Sequence, residues 1–138
     1  MIRRPIHPFL VPIPIVCFVG ALLTDLTYWG TAEMMWADFS AWLISIGLVT
    51  GVLVAIAGLA EYFRDRRAHA LRPVWPHVLG EVLVLALAFF DTMIHSRDAW
   101  TSVVPMGLIL SAAVVAVAFA TGWMGCLLAR RRTIEVIE

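Results

Sequence analysis

Apolar residues fill four runs of about twenty positions each along the chain, and polar residues gather between them. About twenty consecutive apolar residues suffice to cross the hydrocarbon core of a bilayer as a helix. The runs predict spans over about 8–28, 42–62, 76–96 and 103–128. The fold class is therefore all-α: a polytopic four-transmembrane-helix bundle forming one membrane domain over residues 1–138.

The third run, PHVLGEVLVLALAFFDTMIHS, is the one on which the other three are organised. Four ionisable residues interrupt it. At 100° per residue, Glu81, Asp91 and His95 fall about +40°, −40° and 0° from His77. They share one edge of the helix, with Val84 and Ala88 between them as an apolar waist. From His77 to His95 the helix rises about 27 Å, close to one hydrocarbon core. Ionisable side chains at membrane depth face protein or water, so this edge is expected to point into the bundle.

The first run opens with an arginine pair. It is longer than a signal-peptide core and no A-x-A site follows, so a retained span is expected. Pro8 suits a first turn, His7 before it is pushed out of the helical region to the membrane surface, and Pro12 and Pro14 are expected to kink the helix deeper in. A loop over 29–41 is expected, with Trp29, Trp36 and Trp42 as an interfacial aromatic belt. The second run carries Gly47, Gly51 and Ala55 at four-residue spacing, a stripe on which another helix backbone packs closely. Ala112, Ala116 and Ala120 give the fourth run a small-residue face of its own.

Composition agrees with this class. The chain is 62% hydrophobic and only 14% charged, outside the range of soluble domains. Net charge is zero, and the absence of a basic face excludes a nucleic-acid partner. All ten basic residues are arginines, and nine lie in the N-terminus, the 63–76 connection and the tail. Under the positive-inside rule both termini are cytoplasmic, in a multi-pass protein of a bacterial inner membrane. Cys17 and Cys126 differ in depth by about 10 Å, too far for a disulfide, and no metal-type cysteine spacing occurs.

Two polar levels follow from the spans. His7, Glu61, His77 and Glu81 gather on the cytoplasmic side, and Asp25, Asp91 and His95 on the outer side. Asp25 lies one turn inside Tyr28 and Trp29, where a carboxylate needs a partner, and His95 at the same depth is the expected one. Histidines from parallel helices at one level, here His7 and His77, could ligate a b-type haem or hydrogen-bond a quinone headgroup. They could also hold a divalent metal with Glu61 or Glu81, or serve only to pair and fix helix register. A continuous proton wire does not follow, because the waist carries no titratable group.

His7-Pro8 with Leu10-Val11, Pro14-Ile15 and Asp25-Leu26 resembles the opening of the bacterial membrane family called domain of unknown function 2231. Ala57-Gly58-Leu59-x-Glu61 is similar to that family's Gly-Leu-x-acid exit from span two. His77 falls where the family has a histidine, and Gly122-Trp123-x-Gly125 resembles its Gly-Trp-x-Gly-Gly. Pro12 stands in place of a second histidine, Glu81 in place of an asparagine and Cys126 in place of the last glycine. The resemblance implies no established activity. Its fusions to cytochrome-c-like domains imply a respiratory setting. The combined expectation is a non-catalytic accessory module of a membrane electron-transfer system, with haem b or quinone near His7 and His77. Its partners would be the lipid bilayer and a homo-oligomer or larger membrane complex. The alternatives are proton or metal transport along the polar edge of span three, or a purely structural subunit packing through Gly47 and Gly51.

Overall fold

The computed structural model describes residues 10–64, 75–97 and 103–137. Four helices follow in order: α1 Pro12–Thr31, α2 Met34–Arg64, α3 Trp75–His95 and α4 Met106–Ile137. Among the described residues there is no strand. Each helix contains a stretch long and apolar enough to cross a membrane, in α4 over Met106–Leu127. Large apolar side chains such as Leu23, Val49, Leu79 and Ile109 stand exposed on the outer surface, as lipid contact requires.

The closest packing is between α1 and α2 and between α3 and α4, with α1 against α4 and α2 against α3 closing the ring. The ends of α1 and α3 meet the starts of α2 and α4, so neighbouring helices are antiparallel. A stripe on each helix makes the core: Cys17, Phe18, Ala21, Asp25 and Tyr28 on α1; Ala37, Ser40, Ile44, Gly47 and Val54 on α2. Val84, Ala88, Asp91 and His95 continue it on α3, and Gly107, Ser111, Val114 and Thr121 on α4. The three-and-four spacing of these positions is that of a helix burying one face.

Small residues bring the helices together. A Cβ on Gly47 would lie 2.7 Å from the Phe18 ring, and one on Gly51 3.0 Å from Leu85. Gly47 thus admits α1 and Gly51 admits α3, while half-buried Ala55 continues the same face. The stripe is filled within one chain.

Two expectations need correction. The 29–41 segment is not a loop: α1 runs to Thr31 and α2 starts at Met34, leaving only Ala32 and Glu33 between them. Ala32 takes the left-handed conformation at φ 55°, and its N–H caps α1 on the Tyr28 carbonyl at 2.7 Å. The aromatic and acidic composition read as a loop because it is interfacial, yet it holds no proline and its Ala37 and Ser40 are buried on the core face. Pro12 and Pro14 do not kink a long helix. They fall in the first turn of α1, where no intrahelical partner is lost. The small-residue face of Ala112, Ala116 and Ala120 is exposed on the outside of the bundle, because the buried face of α4 is set by Ser111, Val114 and Thr121 about a quarter to half a turn away.

Candidate functional site

Polar residues inside the bundle form two groups, separated by an apolar layer of Phe18, Val84, Ala88 and Val114. The first group joins all four helices. Asp25 comes from α1, Ser40 from α2, Asp91 and His95 from α3 and Ser111 from α4. Asp25 and Ser40 are 0% exposed, Asp91 1% and Ser111 2%. A second apolar layer of Tyr28, Ala37 and Val103 closes the bundle beyond them.

Asp25 is the hub. His95 Nε2 lies 3.0 Å from its Oδ1, the partnership expected from depth alone. Ser40 donates a short hydrogen bond to Oδ1, and Ser111 donates one to Oδ2. His95 Nδ1 is 3.0 Å from the main-chain carbonyl of Asp91 and also 3.0 Å from Asp91 Oδ1. Ser111 Oγ is 3.0 Å from Asp91 Oδ2. The ring N–H is directed at the main-chain carbonyl, so Asp91 Oδ1 is left without a hydrogen bond. Burying carboxylates in an apolar bundle is costly unless they are paired in this way, and the cluster links helices that lipid-like packing alone would hold weakly.

Sequence reading found Asp25, Asp91 and His95 and missed both serines. Ser40 stands in the segment whose composition reads as a loop, and Ser111 in an apolar run without a charged neighbour. Helical spacing locates them: Ser40 falls between Ala37 and Ile44, and Ser111 between Gly107 and Val114, each on the buried stripe of its helix.

The second group lies at the other end of the bundle. His77 Nδ1 is 3.3 Å from the Thr121 carbonyl and donates to it, and Nε2 is 3.2 Å from Glu81 Oε1. Both side chains are about one-third exposed. The ring rests on the backbone of α4, where a Cβ on Gly125 would lie 3.3 Å from His77 Cε1. Gly80 faces Thr121 so closely that a Cβ there would fall on its hydroxyl. Beside this pair lies a cavity of about 100 Å³. Val11 just before α1, Pro14 and Phe18 from α1, Gly51 and Val54 from α2, and Val84 and Leu85 from α3 give it apolar walls. His77, Glu81 and Thr121 form its polar end.

The remaining candidates are distributed differently. Glu61 is half-buried near the end of α2 and does not line the cavity. His7 lies outside the described residues. Both cysteines are free, Cys17 buried and Cys126 exposed. Among the described residues, no group of three or more His, Cys, Asp or Glu is arranged to hold a metal ion.

The family of predicted membrane proteins called domain of unknown function 2231 (DUF2231) matches residues 3–138. The chain belongs to this family. It is accordingly a multi-pass membrane protein, and the short motifs acquire places in the bundle. Asp25 of the opening motif is the hub of the four-helix cluster, and Gly125 of the Gly-Trp-x-Gly motif is the floor beneath His77. No curated protein and no solved structure matches the chain.

Proposed function

We propose that this protein is a small, non-catalytic accessory module of a membrane electron-transfer system that holds the ring of a lipid-soluble quinone at the His77 end of the bundle. The supporting observation is the cavity lined by all four helices, apolar on its walls and polar only at His77, Glu81 and Thr121. Pockets of that kind take an apolar body and orient it by a few hydrogen bonds. A volume of about 100 Å³ is of the order of an engineered cavity that binds benzene, so it suits one six-membered ring. His77 Nε2–H, which faces Glu81 Oε1, would exchange that acceptor for a quinone oxygen.

Haem fits less well. Both His77 ring nitrogens are engaged, one by the Thr121 carbonyl and one by Glu81, and a porphyrin exceeds the cavity. Transport along α3 is disfavoured by the apolar layer between the two polar groups. The arginine bias supports a reading in which the His77 end is on the cytoplasmic side of a bacterial inner membrane.

The test uses detergent-purified protein titrated with a short-chain ubiquinone analogue, read by quenching of tryptophan fluorescence. Saturable quenching, weakened at least tenfold by Ala55→Leu at the cavity wall and by Glu81→Gln, is expected. Quenching that never saturates, or that ignores both substitutions, would refute the proposal. A split Soret and α-band in the purified protein would replace quinone with haem.

A further inference from the structure

The hydrogen bonds around Ser111 define a second site, independent of quinone binding. Ser111 Oγ stands within hydrogen-bond distance of two carboxyl oxygens, Asp25 Oδ2 and Asp91 Oδ2. A hydroxyl has one hydrogen to give, and an ionised carboxylate has none. If both acids were ionised, one of these two contacts would set lone pair against lone pair in a fully buried site. A second proton is therefore needed between Asp25 and Asp91.

The rest of the cluster decides where it sits. Asp25 accepts from three donors, His95 Nε2, Ser40 and Ser111, which is the environment of an anion. Asp91 has no comparable set. Its Oδ1 is 3.0 Å from His95 Nδ1, but that N–H is directed at the Asp91 main-chain carbonyl, and Oδ1 is left without a hydrogen bond. The ion-pair contact with His95 remains, but a buried carboxylate oxygen without a directed hydrogen bond is less well held than one with three donors, so the proton belongs on Asp91 rather than Asp25. His95 Nδ1 faces the Asp91 main-chain carbonyl, and Nε2 faces Asp25 Oδ1 at 3.0 Å with Ser40 Oγ farther off at 3.3 Å; with the Ser40 hydrogen given to the ionised Asp25, the ring holds two protons. With His95 cationic, Asp25 anionic and Asp91 neutral, the cluster has no net charge, as an apolar surround requires. The groups facing it are accounted for helix by helix: Asp25 from α1, Ser40 from α2, Asp91 and His95 from α3 and Ser111 from α4.

The geometry points to a buried proton-binding site in which Asp91 is a neutral carboxylic acid, donating through Oδ2 to Ser111, which in turn donates to the ionised Asp25. The chain of donors runs one way across α3, α4 and α1, and the bound ligand is a single proton.

Infrared difference spectroscopy on protein labelled with carbon-13 at the carboxyl carbon of aspartate tests the assignment. The carbonyl stretch of a protonated aspartic acid is expected at neutral pH in the wild-type protein. It should vanish in Asp91→Asn, whose amide replaces the O–H as donor to Ser111, and shift in Ser111→Ala, where that acceptor is gone. Absence of the band in the wild type overturns the proposal whether or not the variants fold. Persistence of the band in Asp91→Asn overturns the assignment to Asp91. An unshifted band in Ser111→Ala overturns the donor chain.

Discussion

His95 Nε2 and Asp25 Oδ1 meet at 3.0 Å across 70 residues of sequence, both fully inside the bundle. The contact joins the end of α3 to the end of α1, helices that are not principal packing neighbours. It therefore acts as a cross-brace within a ring of antiparallel helices. In a membrane the helices gain little from apolar burial against each other, so a polar brace of this sort carries a larger share of tertiary specificity.

Removing either partner leaves the other buried without compensation. Asp25→Ala and His95→Ala are each expected to cost about 3–5 kcal/mol, the range for breaking a buried pair. The double variant should cost less than the sum, with a coupling of about 0.5–3 kcal/mol. Reversible unfolding in mixed micelles, followed by tryptophan fluorescence, measures the cycle. Simple additivity would mean that the two side chains do not interact.

The serines have a smaller part. Ser40→Ala removes one of the three donors to Asp25 and leaves His95 and Ser111 in place. The expected loss is about 0.6 kcal/mol, and up to ~1.7, as for other interhelical hydrogen bonds in membranes. A loss as large as that of Asp25→Ala would show that Ser40 is the hub and Asp25 only a branch.

Much of this was legible in the chain because membrane helices are constrained so simply. Four apolar runs with no water to satisfy their backbones can hardly be anything but helices. The 100° periodicity also put Asp91 and His95 on the same edge as Val84 and Ala88, and all four are buried. Asp25 was legible because a carboxylate one turn below Tyr28 must be paired. The serines were not, since a hydroxyl can satisfy itself on its own helix, as Ser45 does on the Ala41 carbonyl at 2.8 Å. Nor was the tight turn at Ala32, because an interfacial helix end and an interfacial loop share the same aromatic and acidic composition. The cavity depends on which side chains fail to meet, and no one-dimensional pattern encodes that.

Small residues on inward and outward helix faces should behave differently. Gly47→Ala places a Cβ 2.7 Å from the Phe18 ring and 3.1 Å from Cys17 Cβ, so an overpacking loss of about 1–3 kcal/mol is expected. Ala116→Leu adds three carbons on the outward face of α4 and should leave folding unchanged. Thermal stability of the monomer in detergent separates the two. If Ala116→Leu instead changes the elution volume without changing stability, that face joins a second copy.

Orientation rests on the arginines. Reporter fusions after Trp36 and Ala99 are expected to signal the periplasm, and fusions after Arg67 and Glu138 the cytoplasm, given the nine-to-one distribution. A cytoplasmic signal at Trp36 would invert the bundle and move the His77 cavity to the outer side.

The seam between α3 and α4 at the His77 end offers a compensating pair. Gly80 lies against Thr121, and an added methyl would overlap Oγ1 and come within 2.9 Å of Cγ2 and 3.1 Å of Cβ. Thr121 cannot swing its hydroxyl aside freely, because Oγ1 is donated to the Val117 carbonyl at 2.8 Å. Gly80→Ala should therefore push α3 and α4 apart at the cost of about 1–3 kcal/mol. The His77 Nδ1 contact to the Thr121 carbonyl, already 3.3 Å, would be broken by a shift of a few tenths of an ångström. Thr121→Ala removes both atoms that overlap most and leaves only the 3.1 Å approach to Cβ. The double variant Gly80→Ala/Thr121→Ala thus moves a methyl from one side of the seam to the other. It should recover most of the stability lost in Gly80→Ala and restore the His77 ring resonance in an NMR spectrum to its wild-type position. Gly122→Ala, where an added Cβ meets nothing within 4 Å, serves as the neutral control in the same measurement. If Gly80→Ala alone is as stable as Gly122→Ala, the seam is looser than its geometry indicates and His77 is not positioned by it.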